Sequence, residues 1–378
     1  MLKNKTPLEM VSAITGAKTF AIETDQLNRY CIISKEDRLK RAFCFGVPII
    51  REGSRQIVNP CFSYQRGVAS FSGTNSNIRV DRTVTMNNRY GQCEILPDGT
   101  LYKKAQQSVF FKSQNVQTEV FPTLNGIAMI LSCSDKETMS FRVKIKDKLH
   151  AVRSNNRCIA FMREKFVPLI TVSLVGAFAP NSRDVDPCEI LLQTVGNQEY
   201  LVSVIPQGNV CKNILLEINM QETKLFQDTT VESKNPNMNN AFGGTAFIGM
   251  TKNFGEQWLY SRLMLSNIYQ LSSKRIVRSI LHVPVLNGST QNLTLNSVKA
   301  RFCSFGSTWE NKIPLLQTLA ESSVSNGYHH FDITHLLGRM EQETENYVIK
   351  SKGLWKKPIV ISTGDSSLMP QILEVQYQ

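Results

Sequence analysis

The segment PQILEVQY, residues 370–377, carries the pattern that decides the fold class. Leu373, Val375 and Tyr377 alternate with Glu374 and Gln376, so one face of an extended segment is apolar and the other is polar. Successive side chains of a β-strand point to opposite faces of its sheet, and this period of two predicts a half-buried strand.

The segment MSFRVKIK, residues 139–146, repeats this pattern, with Phe, Val and Ile alternating with Arg and Lys. Short runs rich in Val, Ile, Thr, Phe and Tyr recur along the chain and are broken by Gly, Asn, Ser and Pro. This composition is typical of all-β proteins. We therefore predict an all-β fold with two β-sandwich domains.

The predicted domain order is a short helical segment (residues 1–18), an N-terminal β-sandwich (residues 19–208) and a C-terminal domain (residues 209–378). The boundary is placed near PQGN, residues 206–209, because Pro, Gly and Asn favour a turn and no long linker follows.

Two short helices are expected from their N-terminal signals. Thr6 can cap a first helix, with Pro7 at its first position and Glu9 completing a capping box. A second helix is expected after Asp332 or Thr334, either of which can cap it, because the apolar residues that follow recur at helical spacing.

The net charge of +12 is spread along the 378 residues, which favours contact with anionic surfaces. No nucleic-acid-binding motif is present, so nucleic acid is not an expected partner. The nine cysteines are a dozen or more residues apart, which fits neither a zinc site nor a dense disulfide framework. Several, such as Cys44 and Cys303, lie in apolar strand contexts and are expected to be small buried side chains. So many thiols indicate a protein made in a reducing compartment, and later cross-linking of the cysteines is an open alternative.

No apolar signal segment follows MLKNKT, residues 1–6, and no apolar run has the length of a membrane helix. We therefore expect synthesis in the cytoplasm without a signal peptide, and no membrane span.

A set of segments in the second half forms a pattern known from one family: DTTVES (residues 228–233), FIG (247–249), FDIT (331–334), STGD (362–365) and PQIL (370–373). In their order and spacing, residues 217–378 resemble the DNRLRE-type jelly roll, a carbohydrate-binding-module-like β-sandwich of bacterial surface proteins. The resemblance implies that the C-terminal domain is a jelly roll with a short helix.

The resemblance implies a protein of a bacterial surface, with carbohydrate as a possible ligand. Members of this family generally carry export signals, and none is expected here, so a spore or virion assembly, from which the product is released by lysis, is also an expected setting. We therefore expect a non-enzymatic structural or adhesive protein of a bacterial surface, spore or virion assembly. The expected partners are copies of the chain, other surface or particle proteins, and a glycan. Such domains stack sugars on exposed aromatic side chains, for which the candidates are Trp258, Tyr260 and Trp355. Trp258 and Trp309 lie in strand-like contexts that favour burial, whereas Trp355 is flanked by lysines.

Two further binding sites are candidates. Oxygen ligands for calcium, the one cofactor considered, are offered by Asp228, Asn235, Asn237 and Asn239, although such a loop can also satisfy only its own backbone. In KSKGLWKK, the residues Lys350, Lys352, Lys356 and Lys357 offer contacts to an anionic polymer. The alternative for this segment is a solvated loop.

No catalytic residue is predicted, because no nucleophile elbow, phosphate-binding loop or zinc-protease motif occurs. His330, Asp332 and His335 would converge on a metal only if their segment were helical, and a helix cap at Asp332 is the favoured interpretation. The alternative function is a carbohydrate-active enzyme, a polysaccharide hydrolase or lyase, that uses a carboxylate pair. Its candidates are Asp228, Glu232, Glu256, Glu310 and Asp365.

Overall fold

The structure is a computed structural model, and it describes residues 5–17, 22–23, 29–36, 39–52, 56–57, 59–66, 68–105, 107–133, 138–178, 185–186, 188–205, 213–271, 274–287, 290–337, 344–353 and 357–378.

The secondary structure consists almost entirely of strands. The first elements are α1 (Pro7–Thr15), β1 (Ile22–Glu23), β2 (Cys31–Glu36), β3 (Leu39–Phe45), β4 (Arg51–Glu52) and β5 (Gln56–Ile57). The middle of the chain forms β6 (Cys61–Gln65), β7 (Val68–Ser72), β8 (Asn77–Val80), β9 (Val84–Asn88), β10 (Gly91–Pro97), β11 (Thr100–Lys104), β12 (Val109–Lys112), β13 (Val116–Thr123), β14 (Gly126–Cys133), β15 (Met139–Ile145), β16 (Ala151–Ser154), β17 (Cys158–Glu164), β18 (Val167–Phe178), β19 (Val185–Asp186), β20 (Glu189–Gly196), β21 (Glu199–Ile205) and β22 (Asn213–Met220). The last elements are β23 (Phe226–Glu232), β24 (Asn240–Ala241), β25 (Thr245–Thr251), β26 (Gly255–Met264), a 3-10 helix (Leu265–Leu271), β27 (Ile276–Pro284), β28 (Leu293–Val298), β29 (Leu315–Glu321), β30 (Ser323–Ser325), β31 (Tyr328–Asp332), α2 (Thr334–Leu337), β32 (Thr344–Ser351), β33 (Ile359–Ser362) and β34 (Ile372–Tyr377).

These elements confirm the predicted all-β fold class, and the sheets are antiparallel. In β15, Met139, Phe141, Val143 and Ile145 are buried, and the residues between them are more exposed. The period of two in this segment therefore identified both the strand and its buried face.

The chain divides into two compact units that differ from the predicted domains. Unit 1 is Val58–Glu222, whereas unit 2 combines Lys5–Ile57 with Thr223–Gln378. The reason is a strand pair between the two ends of the chain, since Lys40–Phe45 of β3 pair with Ile372–Tyr377 of β34. The predicted boundary at residues 208 and 209 shifts to residues 222 and 223, and the N-terminal segment belongs to the C-terminal unit.

Unit 1 contains two sheets that enclose one apolar core. One sheet has the order β20-β21-β15-β10-β9-β8-β7-β6, and the other has the order β11-β12-β13-β14-β22-β18-β17-β16. Buried side chains from both sheets, such as Ile95 and Phe141 of the first and Met129 and Leu216 of the second, belong to the same cluster. This is the arrangement of a β-sandwich.

Unit 2 also contains two main sheets. Sheet I has the order β1-β2-β3-β34-β27-β31-β30, and sheet II has the order β24-β23-β26-β32-β28-β29, with β25 pairing β26 and β33. Their shared core includes Leu281, Phe331 and Leu373 from sheet I and Leu259 and Ile349 from sheet II. The outer faces of the two sheets carry the residues considered below.

Both predicted helix starts are present. The Thr6 side chain accepts a hydrogen bond from the Glu9 amide (3.2 Å), and the Glu9 carboxylate accepts one from the Thr6 amide (2.7 Å), which is the expected capping box. At α2, Asp332 Oδ1 accepts hydrogen bonds from the amide and hydroxyl of Thr334 at 3.1 and 2.6 Å. Asp332 is therefore the cap of this helix, as predicted.

Among the described residues, the cysteines are free thiols, and most of them are buried. Cys31 and Cys44 are paired across β2 and β3, and their sulfur atoms lie 2.8 Å apart in the core of unit 2. Cys303 is exposed, contrary to the prediction. Cys211 lies outside the described residues.

Candidate functional site

Two tryptophan side chains meet on the outer face of sheet II. Trp258 lies on β26, and Trp309 lies in the segment of residues 299–314 that connects β28 to β29. Their ring centroids are 5.2 Å apart with the ring planes at 59°, and both side chains are partly exposed. The Trp258 ring nitrogen donates a hydrogen bond to Glu256 Oε1 (2.9 Å), so the polar edge of this ring is satisfied.

Two lysine ammonium groups lie over these rings. Lys312 Nζ is 4.0 Å from the centroid of the Trp309 ring and 5.6 Å from that of Trp258. Lys350 Nζ approaches the Trp258 ring from β32, at 5.4 Å. All three distances are within the range of a cation–π contact. We call Trp258, Trp309, Lys312 and Lys350 the aromatic–cationic face.

A small buried cluster beneath this face fixes the connecting segment. Tyr260 and Phe302 pack with their ring centroids 5.8 Å apart, next to Val231 and Val348. The Tyr260 hydroxyl donates a hydrogen bond to the carbonyl of Ile313 (2.9 Å), and burial raises the pKa of Tyr260 to about 12. Tyr260, predicted to contact a sugar, is fully buried and supports the face from below.

The Asn-rich loop after β23 holds the same segment from one side. The Asn239 side-chain amide donates hydrogen bonds to the carbonyls of Ser304 (2.6 Å) and Ser307 (2.7 Å). The Glu310 amide donates to the Pro236 carbonyl (3.0 Å). The loop thus helps to place Trp309 and Lys312.

The residues predicted to bind calcium have different neighbours. Asn235 donates to Glu232 Oε1 (2.6 Å), and Asn237 is exposed. The Asn239 amide nitrogen donates its hydrogen bonds to carbonyls of the connecting segment. Asp228 points into the sandwich between the sheets, where Ser261 and Gly364 donate to its carboxylate. These contacts stabilise the protein itself, and no group of three or more His, Cys, Asp or Glu residues suited to a metal ion occurs among the described residues.

Asp228 is the most strongly perturbed of the carboxylates considered for catalysis. Burial, with the negative charge of Asp365, raises the pKa of Asp228 to about 7. Asp365 itself is paired with Lys224, whose Nζ lies 2.6 Å from Asp365 Oδ1. The Ser261 hydroxyl donates to Asp228 Oδ1 (2.5 Å) and lies 3.0 Å from the Tyr347 hydroxyl. Asp228 and Asp365 therefore form part of a buried polar network that ties β23 and β26 to the loop after β33.

The remaining carboxylate candidates do not join that network. Glu232 is buried and accepts hydrogen bonds from Asn235 and from the Gln257 side chain (2.7 Å). Glu256 accepts the hydrogen bond from the Trp258 ring nitrogen, and Glu310 is exposed on the connecting segment.

Of the predicted basic residues that the structure describes, one belongs to the aromatic–cationic face. Lys350 does so, whereas Lys352 forms an ion pair with Glu321 at 2.8 Å. Lys357 is exposed. Trp355 and Lys356, also predicted to bind, lie outside the described residues.

The predicted histidine cluster is divided between different partners. The Asp332 carboxylate contacts Thr334 and lies 3.5 Å from Arg278 Nε, and His335 is on α2. His330 instead contacts His282 on the neighbouring strand β27.

Sequence reasoning missed Lys312, and it favoured burial for both Trp258 and Trp309, which are partly exposed. Trp309 was expected to be buried like a strand residue, but its segment forms a turn in which Asn311 Oδ1 accepts from the Thr308 amide (2.7 Å). The Gly, Ser and Asn residues around Trp309 were the available signal for a loop.

No protein-family model matches this chain, and no curated protein matches it. The DNRLRE-type resemblance therefore remains a prediction. Within the described residues, no helix has the length and apolar character required to cross a membrane.

Proposed function

We propose that the protein is a structural or adhesive protein that binds an acidic glycan on the aromatic–cationic face of unit 2. The observation that carries the proposal is the position of Lys312 and Lys350, whose ammonium groups lie within 6 Å of a partly exposed tryptophan pair. Together these side chains offer an apolar surface and two positive charges at one place.

The tryptophan rings provide the surface on which a sugar ring would stack. The C–H face of a pyranose is apolar and packs against an aromatic ring, which removes apolar surface from water on both sides. The connecting segment is held by Tyr260 and Asn239, so Trp309 is positioned before a ligand arrives. Such preorganisation lowers the entropy cost of binding.

The lysines account for a preference for acidic sugars. A carboxylate or sulfate beside the stacked ring would accept charge-assisted hydrogen bonds from Lys312 and Lys350, and these are stronger than bonds between neutral groups. The net charge of +12 would also attract an anionic polymer over a longer range.

The proposal retains the setting predicted from the sequence, an assembly on a bacterial surface, spore or virion. No sugar-cleaving step is proposed, since Asp228 and Asp365 are used within the buried network. Copies of the chain and other particle proteins remain proposed partners.

The test is titration of the full chain with acidic and neutral glycans. We expect alginate or hyaluronan fragments to bind and neutral cello-oligosaccharides to bind much more weakly. Lys312→Gln and Lys350→Gln should each weaken binding about tenfold, which corresponds to about 1.4 kcal/mol. Raising the salt concentration should weaken binding to the wild-type protein.

Lys274→Gln is the matched control, because it removes one positive charge from an exposed lysine that precedes β27 of sheet I. We expect it to leave the dissociation constant unchanged. Equal weakening by all three substitutions would show that only net charge matters and would contradict the site. Preferential binding of single-stranded nucleic acid would also contradict the proposal.

A further inference from the structure

A chain of hydrogen bonds runs from an exposed serine to a buried carboxylate on the outer face of sheet I. Ser325 Oγ lies 2.8 Å from His330 Nε2, and His330 Nδ1 lies 2.6 Å from His282 Nδ1. His282 Nε2 in turn lies 3.0 Å from Glu374 Oε2. We call these four residues the serine relay.

The strand register places these residues together. His282 and His330 are directly opposite each other on β27 and β31, and Glu374 lies on β34, the other neighbour of β27. The side chains that flank them along the strands, such as Leu281 and Phe331, point into the core of unit 2. The serine relay therefore occupies the opposite side of the sheet from the core.

From the geometry of the serine relay we infer that Ser325 is a nucleophile that accepts acyl groups from small, exposed esters. A serine hydroxyl bonded to a histidine that is itself oriented by a third group is the arrangement that activates serine in acyl transfer. In this chain the third group is His282, and Glu374 supports it.

One proton arrangement makes Ser325 ready to react. The Ser325 hydroxyl donates to His330 Nε2, His330 Nδ1–H donates to His282 Nδ1, and His282 Nε2–H donates to Glu374. His330 Nε2 also lies 3.2 Å from the Ser325 carbonyl, so a second arrangement with the proton on Nε2 is possible and is unreactive.

The surroundings favour a neutral His330 and an ionised Glu374. Burial and the neighbouring His282 hold the pKa of His330 below its usual value. Burial raises the pKa of Glu374, but hydrogen bonds from His282 and Gln376 outweigh this and keep that pKa below its usual value. Arg41 Nε lies 3.9 Å from Glu374 Oε1.

Tyr328 is another titratable group beside His330. The centroid of the Tyr328 ring is 6.2 Å from that of His330, and Lys5 Nζ lies 5.9 Å from the Tyr328 centroid. Burial raises the pKa of Tyr328 to about 12, so the Tyr328 hydroxyl is neutral near pH 7.

The turn after Ser325 leaves room for an ester and offers donors to it. Ser325, Asn326 and Gly327 are exposed, and the space beside the Gly327 Cα is open. Asn326 and Gly327 both have positive φ (52° and 84°), as in a two-residue hairpin turn closed by the pairing of Ser325 with Tyr328. Asn326 and Gly327 are not among the paired residues of β30 and β31, so the Asn326 N–H, next to the nucleophile, is the donor that we assign to the oxyanion.

The reaction balances without an added reagent. Ser325 Oγ attacks the ester carbonyl carbon, its proton passes to His330 Nε2, and the positive charge is shared with His282 beside Glu374. The bond from carbon to the leaving oxygen then breaks, and that oxygen takes the proton from His330 to leave as an alcohol. Water attacks the acyl-serine by the same route and releases a carboxylic acid. This activity would be separate from glycan binding on sheet II, and it would revise the expectation that the chain has no catalytic residue.

The test uses the full chain with a fluorophosphonate probe, which the serine attacks with loss of fluoride, and mass spectrometry to locate the label. We expect labelling at Ser325, its loss in Ser325→Ala, and a rate reduced about 100-fold in His330→Gln. Ser323→Ala is the matched control, because Ser323 is exposed on the same strand and lies opposite His330. It should be labelled at the wild-type rate.

Glu374→Gln tests the positioning role of Glu374. The labelling rate should rise with pH as His330 loses its proton, and removal of the carboxylate should shift this midpoint to lower pH, since the imidazolium is then less stabilised. A reduced rate with an unchanged midpoint would overturn that role.

A second pair of variants decides the outcome if His330→Gln does not fold. Ser325→Cys should react with iodoacetamide at pH 7 about tenfold faster than Ser323→Cys, because the Ser325 side chain is the one at hydrogen-bond distance from His330 Nε2, which promotes the thiolate. Absence of labelling in the wild-type protein, labelling elsewhere, or equal rates for the two cysteine variants would overturn the proposal.

Discussion

Replacing Asp228 by alanine is expected to lower the free energy of unfolding of unit 2 by about 2–4 kcal/mol, because buried donors lose their acceptor. The donors are the Ser261 hydroxyl and the Gly364 amide, both of which are buried. Asp228→Asn should cost much less, since the side-chain oxygen can accept from Gly364 and the new amide can donate to Ser261.

The difference in unfolding free energy between the wild-type protein and Asp228→Asn is also expected to depend on pH. The pKa of Asp228 is about 7 in the folded protein and near 3.8 in an unfolded chain. Between these values Asp228 binds more protons in the folded state than in the unfolded state, so its contribution to wild-type stability falls as pH rises from about 4 to about 7. Asparagine does not titrate, and the stability of Asp228→Asn relative to wild type should therefore increase across this window, by about 4 kcal/mol at most.

Urea unfolding followed by tryptophan fluorescence measures this difference at pH 4.5, 6 and 8. The chain's three tryptophans all lie within residues 223–378, so the signal reports on unit 2. His329 and His330 have lowered pKa values and change stability in the opposite direction, but they are present in both proteins and cancel in the comparison. A stability difference that is constant with pH would show that Asp228 is not the titrating group.

Replacing Gly126 by alanine is expected to destabilise unit 1 by about 3 kcal/mol or more, because the added atom has no space. A Cβ at residue 126 would lie 2.1 Å from the carbonyl oxygen of Ile218, a backbone atom of the paired strand β22. Gly126 is opposite Asn219 in that pairing, so the clash can be relieved only by separating β14 from β22.

Gly196→Ala is the control for this prediction. Its Cβ would make an ordinary contact, 3.5 Å from the Glu199 Cβ, at the exposed end of β20. Hydrogen exchange of the peptide that covers β14 should be much faster in Gly126→Ala and unchanged in Gly196→Ala. Equal protection of β14 in the two variants would contradict the predicted clash.

Features that depend on neighbours in sequence were predictable. The alternation in residues 139–146 identified a strand and its buried face, and the residues at Thr6 and Asp332 identified two helix starts. In each case the signal comes from side chains within a few residues of each other, whose geometry follows from the local backbone.

The candidate site was predictable only in part. Lys350 was singled out, and Trp258 and Trp309 were considered but expected to be buried. Lys312 was not considered, because nothing local shows that the segment of residues 299–314 folds back over β26. Tyr260 could not be distinguished from an exposed aromatic residue, since its burial depends on Phe302, 42 positions further along.

By itself the sequence determined the all-β class, the faces of individual strands and the two helix caps. The tertiary structure alone decided that β3 pairs with β34, that Lys312 lies over Trp309, and that Ser325, His330, His282 and Glu374 are in contact. The physical reason is that strand period and capping are local properties of the chain. Strand order and register depend instead on which distant segments bury apolar surface together, and that is a property of the whole unit.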